Sequence, residues 1–225
     1  MENYLSILKN SVLFRGISEA EILSMKSCLL ATIKDYKKND FVFRAGETTS
    51  SLGLVLSGSV TIIQEDFWGN RNIIAKIGAP NLFAETYALL PNIPLRVSVC
   101  SEETTQIMFF NIRHLTTSCE KNCNFHHQLI ENLVTTMAQK NILMNEKLQH
   151  MSQRTTREKL LSYLSVRAQT EKSTAFTIPF NRQQLADYLS VDRSAMSNEL
   201  SKLRDEGYLD FHKNKFTLHN LEDLG

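Results

Sequence analysis

Cysteine, proline, glycine and tryptophan are all scarce in this chain of 225 residues, at four, four, eight and one. The cysteines stand at 28, 100, 119 and 123 and show no disulfide framework, which fits a reducing compartment. No apolar run approaches the roughly 18 residues of a membrane span. The opening MENYLSILKN lacks a basic stretch followed by an apolar core, so no export signal is expected and the cytoplasm is the expected location. An excess of one charge is also missing. The net charge is +1, and residues 153–225 carry eleven Lys and Arg against ten Asp and Glu. Any case for nucleic acid must rest on where the charges sit. GxSxG, a P-loop, HExxH and a paired carboxylate constellation are absent as well, which argues against an enzyme. What remains is ordinary: 42% hydrophobic and 22% charged residues, in a length that suits two modest domains.

The most informative stretch is Asn181 to Leu203, NRQQLADYLSVDRSAMSNELSKL. Leu185, Ala186 and Leu189 set an apolar stripe on one helix, and Ala195, Met196, Leu200 and Leu203 set one on a second. Ser190-Val191-Asp192 breaks the period between them, with Asp192 a good N-cap. The outward face of the second helix carries Arg193, Ser194, Ser197, Asn198 and Lys202, side chains able to read base edges or hold phosphates. This is a helix-turn-helix pattern; the plainer reading is a helical hairpin with a solvated face. After Gly207, a natural residue just past a helix end, Tyr208–Phe211 and Lys215–Leu218 alternate around His212-Lys213-Asn214. That predicts a β-hairpin with a basic tip, a wing. Residues 181–211 resemble the DNA-binding domain of the Crp–Fnr family of bacterial transcription regulators.

Upstream, residues 3–30 read as helical, with Ser18 and Glu21 forming a capping box. From Ala31 to about Phe110 the period switches to two, and short strands alternate with turns at Lys38-Asn39-Asp40, Ala45-Gly46-Glu47, Leu56–Ser59 and Trp68-Gly69-Asn70. A β-sandwich or jelly roll is predicted, with Gly46 and Gly58 needed for positive φ. The order FRAGE, LVLSGSV, the W-G-N turn and GAPNLFAE resembles the cyclic-nucleotide-binding-type β-roll that precedes the DNA-binding domain in the same family.

The resemblance implies an effector site at Phe83, Ala84, Glu85, Arg96 and Ser98. In nucleotide-binding members a glutamate after a Gly-rich FGE turn holds the ribose 2′-hydroxyl and a later arginine holds the phosphate. Glu85 matches, but Ala84 replaces the glycine. With strand Ser98-Val99 aligned, Leu95 stands at the arginine position and Arg96 lies one step on, where a strand would face it the other way. The resemblance therefore implies a small-molecule effector of unknown identity, other than cyclic AMP. By the same match, Arg193 is the principal base-reading arginine. Ser194 and Asn198 occupy recognition positions where many members have glutamate and arginine, so a different half-site is expected. Arg182, Ser197, Lys202, Lys213 and Lys215 are assigned to phosphates.

Cys119 and Cys123 form a CxxxC with His126 and His127 nearby, so a redox or metal-responsive regulator is an alternative, although the spacing is not a standard zinc pattern. From Asn124 to Met151 no proline or glycine occurs, and Ile130, Val134, Met137, Asn141, Met144, Leu148 and Met151 repeat at alternating four and three. That is a coiled-coil seam and predicts a homodimer. Thr156–Ala168 reads as a further helix with Thr156 a possible cap, and Phe176–Phe180 as a short strand.

The expected fold is therefore α+β: a jelly-roll-like effector-sensing β-roll over 1–123, a dimerisation helix over 124–152 and a winged helix-turn-helix over 153–225. Its expected partners are double-stranded DNA with a palindromic site, a second copy of itself and RNA polymerase. An effector-binding module acting through protein partners is the rival.

Overall fold

The computed structural model describes residues 2–25, 29–116 and 124–219. They fall into two compact units, one of residues 1–70 and 74–141, the other of residues 71–73 and 142–225.

The first unit opens with helices α1 (Leu5–Asn10) and α2 (Glu19–Ser24). The Ser18–Glu21 capping box forms as expected and closes the start of α2. Eight strands follow: β1 (Thr32–Tyr36), β2 (Phe41–Phe43), β3 (Ser51–Ser57), β4 (Ser59–Glu65), β5 (Arg71–Gly78), β6 (Leu82–Phe83), β7 (Ser98–Ser101) and β8 (Thr105–Asn111). They make two antiparallel sheets, ordered β1-β8-β3-β6 and β2-β7-β4-β5. Helix α3 (Glu85–Leu89) lies between β6 and β7, and α4 (Ile112–Thr116) follows β8. The expected turn glycines Gly46 and Gly58 have φ of +91° and +76°. At Gly58 a Cβ would lie 2.6 Å from the Thr104 carbonyl, so the position needs glycine on both counts.

Strand β3 reads as a nearly continuous apolar run because both of its faces are covered. Leu52, Leu54 and Leu56 pack with Met108 and Phe110 of β8 against Leu8, Leu13, Phe14, Ile22 and Met25 of the N-terminal segment. Leu129 and Leu133, on a long helix described below, join the same cluster. Val55 points the other way, into the roll, with Val60, Phe83, Val99, Ile107 and Phe109. Gly53 also faces inward, and there the Phe83 ring takes the missing side chain's place: a Cβ on Gly53 would lie 2.3 Å from it. Gly53→Ala should therefore destabilise the protein by about 1–3 kcal/mol through overpacking. Urea unfolding of the purified variant measures it, and an unchanged midpoint would contradict this packing.

Helix α5 (Asn124–Met151) has the bounds that the sequence pattern predicts. The second unit continues with α6 (Thr156–Glu171), strand β9 (Ala175–Thr177), α7 (Arg182–Leu189), α8 (Arg193–Asp205), β10 (Leu209–His212) and β11 (Lys215–Leu218). The last three strands form one sheet, ordered β10-β11-β9. The cap of α6 is Thr155, not Thr156: the Thr155 hydroxyl accepts from the Glu158 N–H while the Glu158 carboxylate accepts from the Thr155 N–H. Only one register lets the threonine and the glutamate satisfy each other's amides, and Glu158 selects Thr155. The helix runs three residues past the expected end at Ala168. Its core side chains Leu160, Tyr163, Leu164 and Ala168 are buried with Phe180, Leu185 and Leu189.

Candidate nucleic-acid interface

Helices α7 and α8 are capped by short polar side chains, as a tight two-helix turn requires. Asn181 and Gln184 form a reciprocal capping box on α7. Asp192 Oδ1 accepts the Ala195 N–H at 2.7 Å to start α8. Between them Ser190 takes a left-handed conformation, φ +49°, and ends α7. Met196, Leu200 and Leu203 of α8 are fully buried, against a core that includes Leu185, Ala186 and Leu189. Ala195, expected on that buried stripe, is exposed instead. Successive helical residues are about 100° apart, so burying Met196 turns its neighbour outward.

Ser194, Asn198 and Lys202 are exposed on the opposite face of α8, and Arg193 is exposed at its first turn. Ser197 is half-buried, and its hydroxyl donates to the Arg193 carbonyl at 2.9 Å. Lys202 lies 3.8 Å from Glu199. The wing is the β10–β11 hairpin, with Lys213 and Lys215 exposed at its tip. Its turn is fixed by Asn214, whose side-chain amide donates to the Ile178 carbonyl at 3.0 Å. Arg182 is placed differently from its neighbours in the expected phosphate set. Its guanidinium lies over the wing rings of Phe211 and Phe216, 4.6 and 5.1 Å from the centroids. It is half-buried there, and burial lowers its pKa. Arg182 thus braces α7 on the wing.

Arg157 of α6, not anticipated from the sequence, fixes the attitude of α8. Its guanidinium bonds Glu199 at 3.3 Å and also Glu206, tying α6 to the middle and the end of α8, and it lies over the Tyr208 ring. The bond to Glu206 raises the arginine's pKa and lowers the glutamate's.

In the roll, the interior is aromatic. Phe43, Phe83 and Phe109 meet edge to face with centroids 5.8–6.4 Å apart, and Tyr36 joins at 6.5 Å from Phe109. Ala84 takes the left-handed turn that a glycine would favour, φ +63°. Glu85 is 3% exposed, and its Oε1 pairs with Lys140 of α5 at 2.6 Å. Leu95 is buried, whereas Arg96 is exposed and its backbone N–H donates to the Tyr87 hydroxyl. The Ser98 hydroxyl accepts from the Ala45 N–H at 3.0 Å. Phe83, Ala84 and Glu85 are therefore together at the roll, and the Arg96 side chain is exposed.

Along α5 the expected seam leaves Val134, Met144 and Leu148 at 59%, 45% and 62% exposure, large values for apolar side chains. Asn141 is exposed too, and Ile130 and Met137 are half-buried. Cys119 and Cys123 lie outside the described residues. Among the described residues no group of three or more His, Cys, Asp or Glu could hold a metal.

Lys147, one heptad after Lys140, is a buried cation that the seam pattern hid. Within the second unit its ammonium donates to the Ile73 carbonyl and lies 4.5 Å from the Tyr188 ring centroid. Burial lowers its pKa from 10.5 to about 8. A base whose pKa falls on folding binds its proton less well in the folded state than in the unfolded chain. As pH rises above about 8 the folded protein releases that proton first, so stability increases. Burial also raises Tyr188 to about 12, and that group removes stability only once unfolded tyrosines ionise, near pH 10. Between pH 8 and 10 the unfolding temperature should rise by a few degrees, and Lys147→Met should flatten the rise. Differential scanning fluorimetry against pH tests this.

The architecture is an antiparallel roll with an inserted short helix, then a long helix, then a winged helix-turn-helix. The family model of the cyclic nucleotide-binding domain matches residues 33–122, and that of the Crp-like helix-turn-helix domain matches residues 158–225. The chain belongs to the Crp–Fnr family of DNA-binding transcription regulators. FixK2 from Bradyrhizobium japonicum has the same fold, at 21% identity and a TM-score of 0.65 over 86% of this chain and 95% of that one. CLP of Xanthomonas campestris, a c-di-GMP responsive global regulator, is 15% identical with a TM-score of 0.68 over 90% and 100%. A CooA mutant from Carboxydothermus hydrogenoformans is 17% identical with a TM-score of 0.68 over 95% and 97%. The comparison with curated proteins gives no match. No helix among the described residues is long and apolar enough to cross a membrane.

Proposed function

We propose that this protein is a cytoplasmic homodimer that binds a two-fold-symmetric DNA site and acts on transcription with RNA polymerase, under control of a small molecule in the roll other than cyclic AMP. The observation that carries this is the exposed polar set on α8, Arg193 at its first turn and Ser194 and Asn198 opposite a fully buried Met196-Leu200-Leu203 stripe, together with an exposed basic wing tip. Arg193 reads a guanine through O6 and N7, and Asn198 suits an adenine. Lys202, Lys213 and Lys215 hold phosphates, which position the helix without specifying sequence. The exposed apolar seam of α5 supports the dimer, whose two recognition helices enter major grooves about one helical turn apart.

The effector reading rests on chemistry at the roll. A cyclic nucleotide brings an anionic phosphate, and Leu95 offers it no cation. The diol it also brings meets a Glu85 already paired to Lys140. A ligand that alters how α5 packs on the roll changes the spacing of the recognition helices. The test is selection of bound duplexes from a random pool, with and without a small-molecule fraction of a cell extract. An enriched palindrome that needs the fraction supports DNA binding, dimer and effector together. A palindrome without it removes the effector. No enrichment in either arm would replace DNA with a protein partner docked on α7 and α8.

A further inference from the structure

The Glu85–Lys140 pair stands apart from everything else in the roll. Glu85 is the first residue of α3, and 3% of it is exposed. Lys140 reaches it from α5, a helix that begins 39 residues later, and its Nζ lies 2.6 Å from Oε1. The same ammonium donates to the Leu82 carbonyl at 2.7 Å. One lysine thus grips both ends of the turn Leu82-Phe83-Ala84-Glu85, the turn that holds Phe83 in the aromatic interior and Ala84 in a left-handed conformation. The second oxygen, Glu85 Oε2, is buried with no hydrogen-bond partner. A buried carboxylate satisfied on one side only depends heavily on the one cation it has.

We propose that Lys140 is a positioning residue that fastens α5 to the roll, with Glu85 committed to this lysine and not to a ligand hydroxyl. The protein itself supplies the bridge between α3 and α5, and the DNA-binding geometry of the dimer depends on it. This rests on the DNA-binding reading above. The recognition face is on another helix, and on α5 Lys140 turns to Glu85 while Val134, Met144 and Leu148 are exposed, so the bridge can be broken without replacing a residue of either.

The physics predicts an asymmetric pattern. Lys140→Met leaves an unpaired buried carboxylate, whereas Glu85→Gln leaves a lysine that is 29% exposed at its side chain and can be hydrated. The double variant removes both charges. Full-length wild type, E85Q, K140M, K140R and E85Q/K140M are compared by unfolding temperature and by fluorescence anisotropy on the selected duplex, at a temperature where all five are folded. The expected result is a loss of DNA affinity of about tenfold in K140M, the size of an ordinary coupling between sites. The double variant should recover unfolding temperature but keep most of the affinity loss, because it removes the unpaired charge without restoring the bridge, and K140R should stay near wild type. Additive single effects on unfolding temperature, or K140M binding DNA like wild type, overturn the bridge. A double variant that regains wild-type DNA affinity overturns its positioning role. If wild type selects no duplex, the DNA reading has failed, and the unfolding cycle still decides whether the pair is coupled.

Discussion

Replacing Arg193 with alanine should cost each half-site about 1–3 kcal/mol of discrimination, the value of a bidentate contact to guanine. A symmetric dimer carries the loss twice, so affinity for the selected duplex should fall by roughly 30-fold to 10⁴-fold. The fold should not notice. Arg193 is exposed at the first turn of α8, the cap is made by Asp192, and the helix is held by buried Met196, Leu200 and Leu203. Specificity is the sharper measurement. Wild type should lose affinity when the contacted guanine is changed, and Arg193→Ala should be indifferent to that change. Lys213→Ala in the wing should behave in the opposite way, weakening every duplex alike and lowering the salt slope by about two, one for each protomer. If Arg193→Ala keeps both affinity and base preference, the exposed face of α8 serves a protein partner.

The helix-turn-helix was legible because its signals are local. Asp192 caps the helix it precedes, Gly207 follows the helix it ends, and Met196, Leu200 and Leu203 repeat at the helical period. The roll was legible for a similar reason, since its glycine turns and alternating strands are written over spans of a few residues. What stayed hidden depends on partners distant in sequence. Arg182 looks like a phosphate ligand until Phe211 and Phe216 are placed beneath it, about thirty residues on. Lys140 and Lys147 look like solvated positions flanking a coiled-coil seam, and each is instead turned toward backbone carbonyls, of Leu82 and Ile73. Their spacing of one heptad, on the side of α5 adjoining the seam, was the available sign. The exposure of Ala195 and the cap at Thr155 are one-residue differences of phase: burial of Met196 turns Ala195 outward, and the exposed Glu158 selects Thr155.

The seam gives the other large effect. Val134, Met144 and Leu148 are exposed on one stripe of α5, so in a dimer they supply the apolar contact on both sides. Met144→Glu with Leu148→Glu would set four carboxylates across that contact in place of four apolar side chains. Burying such charges without partners is prohibitive, so the helices separate. Sedimentation velocity should show a monomer at micromolar concentration. Binding to the palindrome should fall by more than about 100-fold, because two half-sites no longer share one association. The control is on the same helix. Ile142 and Leu143 are 58% and 60% exposed, as open as the seam residues. At about 100° per residue, however, they point well away from the stripe formed by Val134, Met144 and Leu148. Ile142→Glu and Leu143→Glu should leave the dimer and its DNA affinity within about twofold of wild type, since exposed substitutions away from an interface are nearly neutral. Dissociation by these controls, or a dimer that survives the seam variant, would move the interface to another face.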